Sequence, residues 1–171
     1  MEVLCNTEKL KEFLDYADKI VTRHLTLPIL NNFLIKTERN GLKISSTNLE
    51  IGITSWLPCK VEKSGEITVP AKVFNSIISS LTDDKVVLEL KKDKTLSITS
   101  VNYRASLKGE SADDFPIIPS LKKENGFGVP TKLFTKSLNQ IAGFVSNSET
   151  RPEITGVFIS KEQGENFLRL A

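Results

Sequence analysis

Val69-Pro70-Ala71-Lys72-Val73-Phe74 is the most informative stretch of the chain, because its pattern returns sixty positions later as Val129-Pro130-Thr131-Lys132-Leu133-Phe134. Each copy follows a short strand-like stretch and places proline in the first turn of a predicted helix, where its missing N–H is not needed. Internal similarity in the same register indicates that one supersecondary unit is used more than once. A chain built in this way is more typical of a scaffold with a shaped surface than of a pocket with a catalytic cluster.

Hydrophobic periodicity on either side of these copies predicts the order β-α-β-β-β twice, followed by a third unit. Asn6 or Thr7 is the predicted N-cap of the first helix, and Asn40-Gly41 is the predicted hairpin turn. Pro58 predicts an edge or a bulge within one long strand. The predicted strands are residues 1–5, 30–37, 42–46, 49–61, 66–69, 85–90, 95–99, 102–108, 127–129, 153–160 and 167–171, and the predicted helices begin near Asn6, Pro70 and Pro130.

This order predicts an α+β fold in which repeated β-α-β-β-β units place helices on one face and antiparallel sheet on the other. Residues 1–120 are predicted to form one complete domain with pseudo-twofold internal symmetry, in which the two helices lie side by side. Residues 121–126 are the predicted linker. Residues 127–171 are the predicted start of a second domain that stops within a strand.

The composition is that of an ordinary soluble globular protein, with 171 residues, 39% hydrophobic and 26% charged. The formal net charge of +2 argues neither for nor against a nucleic-acid partner, so only the distribution of charge can decide. Cys5 and Cys59 are not part of a CxxC pair, and they are predicted to be free thiols in a reducing cytoplasm. No apolar run approaches the roughly 20 residues that span a bilayer, so no membrane partner is expected.

Residues for catalysis or metal binding are scarce. His24 is the only histidine, which disfavours a Ser-His-Asp triad and a histidine-based metal site. The sequence contains neither GxxxxGK[ST] nor GxGxxG. Asp83-Asp84 and Asp113-Asp114 lie where turns favour aspartate. We therefore predict no catalytic residue, no metal and no cofactor.

The outward faces of the second and third helices contain no acidic residue, although the chain has 21 of them. Amide, hydroxyl and ammonium donors without carboxylates suit a phosphate backbone, which is contacted without sequence information. Chance remains the alternative, since short helices often lack acids and the first helix has four. The outward positions are Lys72, Asn75, Ser76, Ser79 and Ser80 in the second helix, and Lys132, Thr135, Lys136, Asn139 and Gln140 in the third.

Several segments fall in the order and spacing of one family. Besides the two Val-Pro helix starts they are Leu27-Pro28-Ile29-Leu30, Thr47-Asn48-Leu49-Glu50, Ala112-Asp113-Asp114-Phe115-Pro116, and Glu149-Thr150-Arg151-Pro152 followed by Gly156-Val157-Phe158. From its first residue onward, the chain resembles the bacterial DNA polymerase III beta subunits, the sliding clamps. The resemblance implies three similar domains per chain and a ring of two chains, with helices lining the hole and sheets outside. It also implies an accessory subunit without catalysis of its own, whose partners are duplex DNA, the polymerase catalytic subunit and the clamp loader.

The resemblance also implies roles for individual residues. Position 24 is usually Arg or Lys in similar sequences, so the charge of His24 at neutral pH is open and Arg23 is the alternative contact. Together with the helix-face analysis, the expected DNA-binding residues are Arg23, His24, Lys132, Lys136, Asn139, Gln140, Glu149 and Arg151. The expected subunit interface consists of Lys72, Phe74, Arg104, Ser106 and Leu107. Ile154 and Thr155 are expected to form one wall of the pocket that captures clamp-binding peptides.

The chain ends at Ala171 without the Thr-Asp-x-x-Arg-Leu segment that completes this pocket in similar sequences. We therefore expect a fragment with one complete domain and part of another, and a homodimeric ring only in the full-length protein. The main alternative function is a protein-interaction module that binds no DNA. A small hydrolase is disfavoured because no nucleophile–base pair is found. Salt dependence separates the first two, since only DNA binding must weaken steeply with ionic strength.

Overall fold

The structure is a computed structural model, and it describes residues 1–21, 27–39, 41–119, 127–146, 151, 155–161 and 167–171. The chain divides into two compact units, Met1–Ser120 and Leu121–Ala171. We refer to them as the first unit and the second unit.

The N-terminal half of the first unit contains β1 (Glu2–Asn6), α1 (Thr7–Ala17), β2 (Asn32–Glu38), β3 (Gly41–Thr47), β4 (Gly52–Pro58) and β5 (Lys60–Lys63), with a short 3-10 helix at Pro28–Asn31. The predicted N-cap Asn6 is confirmed, because its side-chain Oδ1 accepts the backbone N–H of Lys9 at 3.0 Å. The bond satisfies one of the N–H groups that the first turn of a helix leaves free.

The C-terminal half of the first unit contains β6 (Glu66–Pro70), α2 (Ala71–Ser80), β7 (Lys85–Leu90), β8 (Thr95–Thr99) and β9 (Arg104–Lys108). Pro70 is the N-cap of α2 with ψ 114°, so the helix begins one residue later than the sequence predicts. A proline at this position still donates no N–H, and its fixed φ leads directly into the first turn.

The strands of the first unit form two antiparallel sheets, and the first strand of each half lies in the sheet of the other half. One sheet has the order β4-β3-β2-β6, and the other has the order β5-β1-β7-β8-β9. Thus β1 pairs with β7 of the second half, while β6 pairs with β2 of the first half. The two halves are therefore equivalent, with β1 corresponding to β6, α1 to α2, and β2–β4 to β7–β9. This arrangement matches the predicted pseudo-twofold symmetry.

A single hydrophobic core joins both sheets and both helices of the first unit. α1 and α2 pack against each other, as predicted. Burying one large apolar side chain contributes about 1.5–3 kcal/mol, so these residues provide much of the stability. The largest fully buried side chains are Phe33, Phe74, Leu10, Leu14, Leu30, Ile35, Leu42, Ile44, Ile78, Leu88, Leu96 and Ile98.

Two predicted strand features are wrong in detail. The long strand predicted over residues 49–61 is two strands in different sheets, because the chain passes from β4 to β5 after Pro58. Pro58 ends an edge strand, where a missing N–H breaks no ladder. The hairpin turn lies one residue earlier than predicted, because Glu38 pairs with Gly41 and Arg39 has a φ of 52°. Asn40 lies outside the described residues.

The second unit contains α3 (Thr131–Ile141), a 3-10 helix at Ala142–Phe144, β10 (Ile159–Ser160) and β11 (Arg169–Leu170). The strand predicted at residues 127–129 is wrong, since the backbone there is irregular. The strands predicted over 153–160 and 167–171 are reduced, in the described part, to this two-residue ladder. Phe158 and Ala171 extend the ladder by exchanging both backbone hydrogen bonds, at 2.7 and 3.0 Å.

Candidate nucleic-acid interface

The outward face of α3 is the best-developed candidate site in the described chain. The helix begins after Pro130, whose backbone (φ −64°, ψ 114°) is that of Pro70 (φ −54°, ψ 114°). Positions three and four residues apart then share one stripe of the helix surface. This stripe forms a shallow, open groove lined by Thr131, Lys132, Thr135, Lys136, Asn139 and Gln140, all of which are exposed.

The opposite side of α3 is apolar and only half-buried. Phe134, Leu138 and Ile141 point away from the groove and are partly shielded, whereas no residue of the helix is fully buried. This amphipathic division fixes which side chains reach solvent. The four predicted helix positions Lys132, Lys136, Asn139 and Gln140 are therefore brought together on one exposed surface.

Thr131 completes the groove and was missed by the sequence analysis. A residue of the first turn can be assigned to a face only when the start of the helix is known. Because the helix begins one residue after the predicted position, Thr131 could not be placed. The first copy of the pattern gives no signal for it, because Ala71 at the same position is buried.

Most ammonium groups on the sheets are paired with neighbouring carboxylates. Five such ion pairs lie on or beside the strands: Lys36 with Glu66 at 2.7 Å, Lys43 with Glu38 at 3.1 Å, Lys60 with Glu62 at 2.5 Å, Lys63 with Glu2 at 2.6 Å and Lys108 with Asp93 at 3.6 Å. The hydrogen bond from Lys43 holds the pKa of Glu38 below its usual range, and Glu66 raises the pKa of Lys36. Their positive charge is thus compensated locally.

The lysines of α3 have no such compensation. Residues 127–146 contain no Asp or Glu, and no described carboxylate lies within ion-pair distance of Lys132 or Lys136. The groove therefore presents two ammonium groups beside amide and hydroxyl donors. Such donors bind phosphate oxygens by charge and hydrogen bonding.

α2 has a comparable face with weaker donors. Lys72 is exposed at the position equivalent to Lys132, and the helix is equally free of acids. The hydroxyl of Ser79 donates to the Asn75 side chain at 3.2 Å, and that of Ser80 donates to the Ile77 carbonyl at 2.7 Å. These bonds occupy two of the hydroxyl donors within the helix itself, which leaves Lys72 as the principal cationic group.

α1 differs from both other helices. Its Lys11 donates to the carboxylate of Glu8 at 3.2 Å and to the backbone carbonyl of Leu81 at 2.7 Å. The ammonium group is thus used to tie α1 to the end of α2. This agrees with the mixed charge of the first helix in the sequence.

The predicted loop residues are only partly described. Arg23, His24, Glu149 and Ile154 lie outside the described residues, and their assignments stay predictions. Arg151 is exposed and Thr155 is half-buried. Because Ile154 is one of the two residues assigned to the peptide pocket, the pocket also stays a prediction.

Two of the predicted subunit-interface residues are buried in this chain. Phe74 is 0% exposed beneath α2 and Leu107 is 9% exposed on β9, and their interface assignment stays a prediction. Side chains alternate along a strand, and the exposed positions of β9 are Arg104, Ser106 and Lys108. β9 is an edge strand of its sheet among the described residues, and Lys72 is likewise exposed.

Metal and membrane sites are not found in the part of the chain that the structure describes. No group of three or more His, Cys, Asp or Glu side chains there could hold a metal ion. Among the same residues, no helix is both long enough and apolar enough to cross a membrane.

Comparison with known proteins points in one direction. Residues 1–119 match the family described as DNA polymerase III beta subunit, N-terminal domain. The beta sliding clamp of Synechocystis sp. is 30% identical over 93% of this chain, and that of Bacillus subtilis is 28% identical over 96%. These matches cover 43% and 46% of the relatives, so the chain spans less than half the length of the curated proteins it matches.

Solved structures give the same result. The DNA polymerase sliding clamp from Bacillus subtilis superposes with a TM-score of 0.88 at 28% identity, covering 95% of this chain and 45% of that one. The DNA polymerase III beta subunit from Thermotoga maritima superposes with a TM-score of 0.90 at 26% identity, covering 99% of this chain and 46% of that one. The similarity therefore extends beyond the first unit into the second.

Proposed function

The chain belongs to the DNA polymerase III beta subunit family, and from that premise we propose that it functions as part of a sliding clamp. In this role it is a non-enzymatic processivity factor of the cytoplasm that encircles duplex DNA and tethers the replicative polymerase. Its partners are duplex DNA, the polymerase catalytic subunit, the clamp loader and, in a closed ring, a second clamp chain.

The contrast between paired and unpaired lysines carries this proposal. Sheet lysines such as Lys36 and Lys43 are paired with carboxylates, whereas Lys132 and Lys136 present uncompensated charge beside Asn139 and Gln140. Neutralising DNA phosphates releases condensed counterions, which favours binding without any contact to bases. A sliding clamp needs this kind of contact, because it must move along DNA of every sequence.

Individual residues have proposed roles within this function. The proposed subunit-contact residues are Lys72, Phe74, Arg104, Ser106 and Leu107, of which Phe74 and Leu107 are buried in this chain. An exposed edge strand such as β9 offers unpaired N–H and C=O groups to a partner strand. Thr155 and Ile154 are proposed for one wall of a peptide pocket. The proposed DNA contacts are Arg23, His24, Lys132, Lys136, Asn139, Gln140, Glu149 and Arg151.

The two compact units fit a proposed domain organisation. Residues 1–120 are the first clamp domain, residues 121–126 the linker, and residues 127–171 the start of the second clamp domain. The repeated Val-Pro-x-Lys-x-Phe pattern supports this division, since each copy begins a helix with the same backbone.

Duplex DNA binding at increasing salt tests the proposal. The Lys132→Gln, Lys136→Gln double variant should weaken binding equally on two unrelated sequences. The slope of log K against log salt should fall by up to about 0.9 for each phosphate that the variant no longer neutralises. A second variant, Arg23→Gln with Arg151→Gln, tests the loops in the same way.

The matched control is the Lys36→Gln, Lys60→Gln double variant, which removes the same charge from lysines that are already paired on the sheets. It should leave affinity and slope near those of the unmodified chain. If the control and the α3 variant lose the same DNA affinity, binding depends on the overall charge of the protein and not on this face of α3. Salt-independent or undetectable DNA binding by the unmodified chain would favour the protein-interaction module instead.

A further inference from the structure

The two cysteines of the chain, far apart in sequence, meet in the fold. Cys5 lies on β1, and Cys59 lies in the connection between β4 and β5. β1 and β5 are antiparallel, with Val3 opposite Val61 and Leu4 opposite Lys60. The next pair in the same register is Cys5 with Cys59.

Both thiols also point to the same side. Cys5 is part of the buried core, and Cys59 packs against that core while remaining half-buried. Each thiol lies close enough to the other to influence its pKa, and the effect of Cys59 is to raise the pKa of Cys5. Residues directly opposite in an antiparallel pair have Cα atoms about 4.5–5.5 Å apart, and a disulfide requires about 4.4–6.8 Å. If the register of Val3–Val61 and Leu4–Lys60 continues by one residue, Cys5 and Cys59 have the spacing that a disulfide needs.

The two thiols differ in access and in reactivity. Cys5 is 1% exposed, and burial raises its pKa far above its usual range. Burial also raises the pKa of Cys59, but hydrogen bonds from the Cys5 thiol and the Leu42 backbone N–H act in the opposite direction. Cys59 is half-buried whereas Cys5 is buried, so a reagent from solvent meets Cys59 first. Cys5 is then placed to react with whatever forms there.

We propose that Cys5 and Cys59 form a redox modification site that a hydroperoxide converts into an intrachain disulfide. The site is independent of DNA binding and of the proposed clamp function. It requires no metal and no third residue, since the oxidant supplies the electron acceptor. Intracellular disulfides of this kind are typically transient and redox-sensing.

The chemistry balances in two steps. The Cys59 thiolate attacks one oxygen of hydrogen peroxide, the O–O bond breaks, and the hydroxide released takes up a proton to give water, leaving a sulfenic acid. The Cys5 sulfur then attacks the Cys59 sulfur, the S–S bond forms, and the S–O bond breaks. The second water leaves with the Cys5 proton. In sum, two thiols lose two electrons and two protons, and peroxide is reduced to two waters.

The disulfide would tie the first strand to the point where the chain changes sheets. Linking Cys5 to Cys59 closes a long loop and so restricts the unfolded chain. The oxidised protein should therefore unfold at a higher temperature, by roughly 5–15 °C. This gives the modification a readout that does not depend on any partner.

The test uses the unmodified chain, reduced and then treated with hydrogen peroxide. Thiols are trapped by alkylation, and the intact protein is weighed by mass spectrometry. We expect both thiols to disappear together in a monomer that has lost two hydrogen atoms, with a linked peptide pair around Cys5 and Cys59. Dithiothreitol should restore both thiols and the lower melting temperature.

The Cys5→Ala variant separates the two steps, because its Cys59 should stop at a sulfenic acid that dimedone traps. The Cys59→Ser variant should leave Cys5 reduced at the same peroxide dose. In the unmodified chain, three results would overturn the proposal: two thiols that remain open to alkylation after unfolding, disulfide-linked dimers in place of the intrachain bond, or oxidation of Cys59 without loss of Cys5.

Discussion

The two copies of the Val-Pro-x-Lys-x-Phe pattern begin their helices in the same way but are buried very differently. Pro70 and Pro130 are both N-caps with ψ 114°, and neither helix receives a side-chain cap. Yet Phe74 in the first unit is 0% exposed, whereas Phe134 in the second unit is only half-buried.

This difference in burial shows which features of the two copies depend on neighbouring residues and which depend on the rest of the chain. The start of a helix depends on a few neighbouring residues, so the same hexapeptide gives the same backbone twice. Burial depends on partners from elsewhere in the chain. α2 packs against α1, β2 and β6, while the described contacts of α3 are with its own 3-10 extension and β11. Mutations that act through packing should therefore distinguish the two copies, and mutations that act through the backbone should not.

The largest expected effect comes from removing the two phenylalanine rings. Phe74→Ala should destabilise the first unit by about 3–5 kcal/mol, because it leaves a cavity in a closed core. Phe134→Ala should cost about 1 kcal/mol, because the half-buried ring removes less surface from water. Hydrogen exchange of the α2 and α3 amides measures each opening free energy separately. Equal destabilisation at both positions would contradict the difference in packing.

A smaller effect is expected from adding a methyl group at a glycine in each unit. A Cβ at Gly109 would lie 2.5 Å from the Thr68 carbonyl oxygen and 2.7 Å from Ile67 Cγ1, whereas a Cβ at Gly128 would meet nothing within 4 Å. Gly109→Ala should therefore cost about 1–3 kcal/mol through overpacking. Urea denaturation checks this, with Gly128→Ala as the matched control that should be near neutral. A tolerated Gly109→Ala would mean that the β6 region is less tightly packed than the structure indicates.

The smallest effect should be the same in both copies. Pro70→Ala and Pro130→Ala each release a fixed φ in the unfolded chain, which costs about 0.4–1 kcal/mol. Because the two N-caps share one backbone conformation, we expect the amides of α2 and α3 to lose similar protection. A clear difference between the two variants would show that the helix start also depends on packing.

Much of the fold of the first unit could be predicted from the sequence, because its helices have clear apolar spacing and its strands alternate. The switch of sheets after Pro58 could not. Leu57, Cys59 and Val61 all pack on the same core although they lie on two sheets, so the alternation continues across the break. The alternation of apolar and polar residues indicates which face of a strand is buried, but it does not indicate which other strand pairs with it.

For the candidate site, the sequence predicted the charged helix faces but not the direction of every side chain. The absence of acids marked the faces of α2 and α3, because charge sorting is visible in composition. The apolar spacing of α2 places Phe74 on its inward face, whereas the interface assignment of Phe74 and Leu107 rests on similarity to a family, which gives a position along the chain and not the direction of a side chain. The apolar character of both residues was the signal for the core. The second unit's short strands were the hardest part, since a two-residue ladder is too short to produce a pattern.

The exchange of β1 and β6 between the two halves sets an order of events during synthesis. β1 is made early, but its neighbours β5 and β7 are complete only after residues 63 and 90. At about 5–20 residues per second, β1 stays without β7 for roughly 4–17 seconds after it is translated. Until residue 63 is made β1 has neither neighbour, and until residue 90 the edge of β1 that pairs with β7 stays open. The sheet that contains β1 can therefore be completed only after β7 has been synthesised. Until then, we expect the early segments of the chain to bind chaperones that recognise exposed apolar surface.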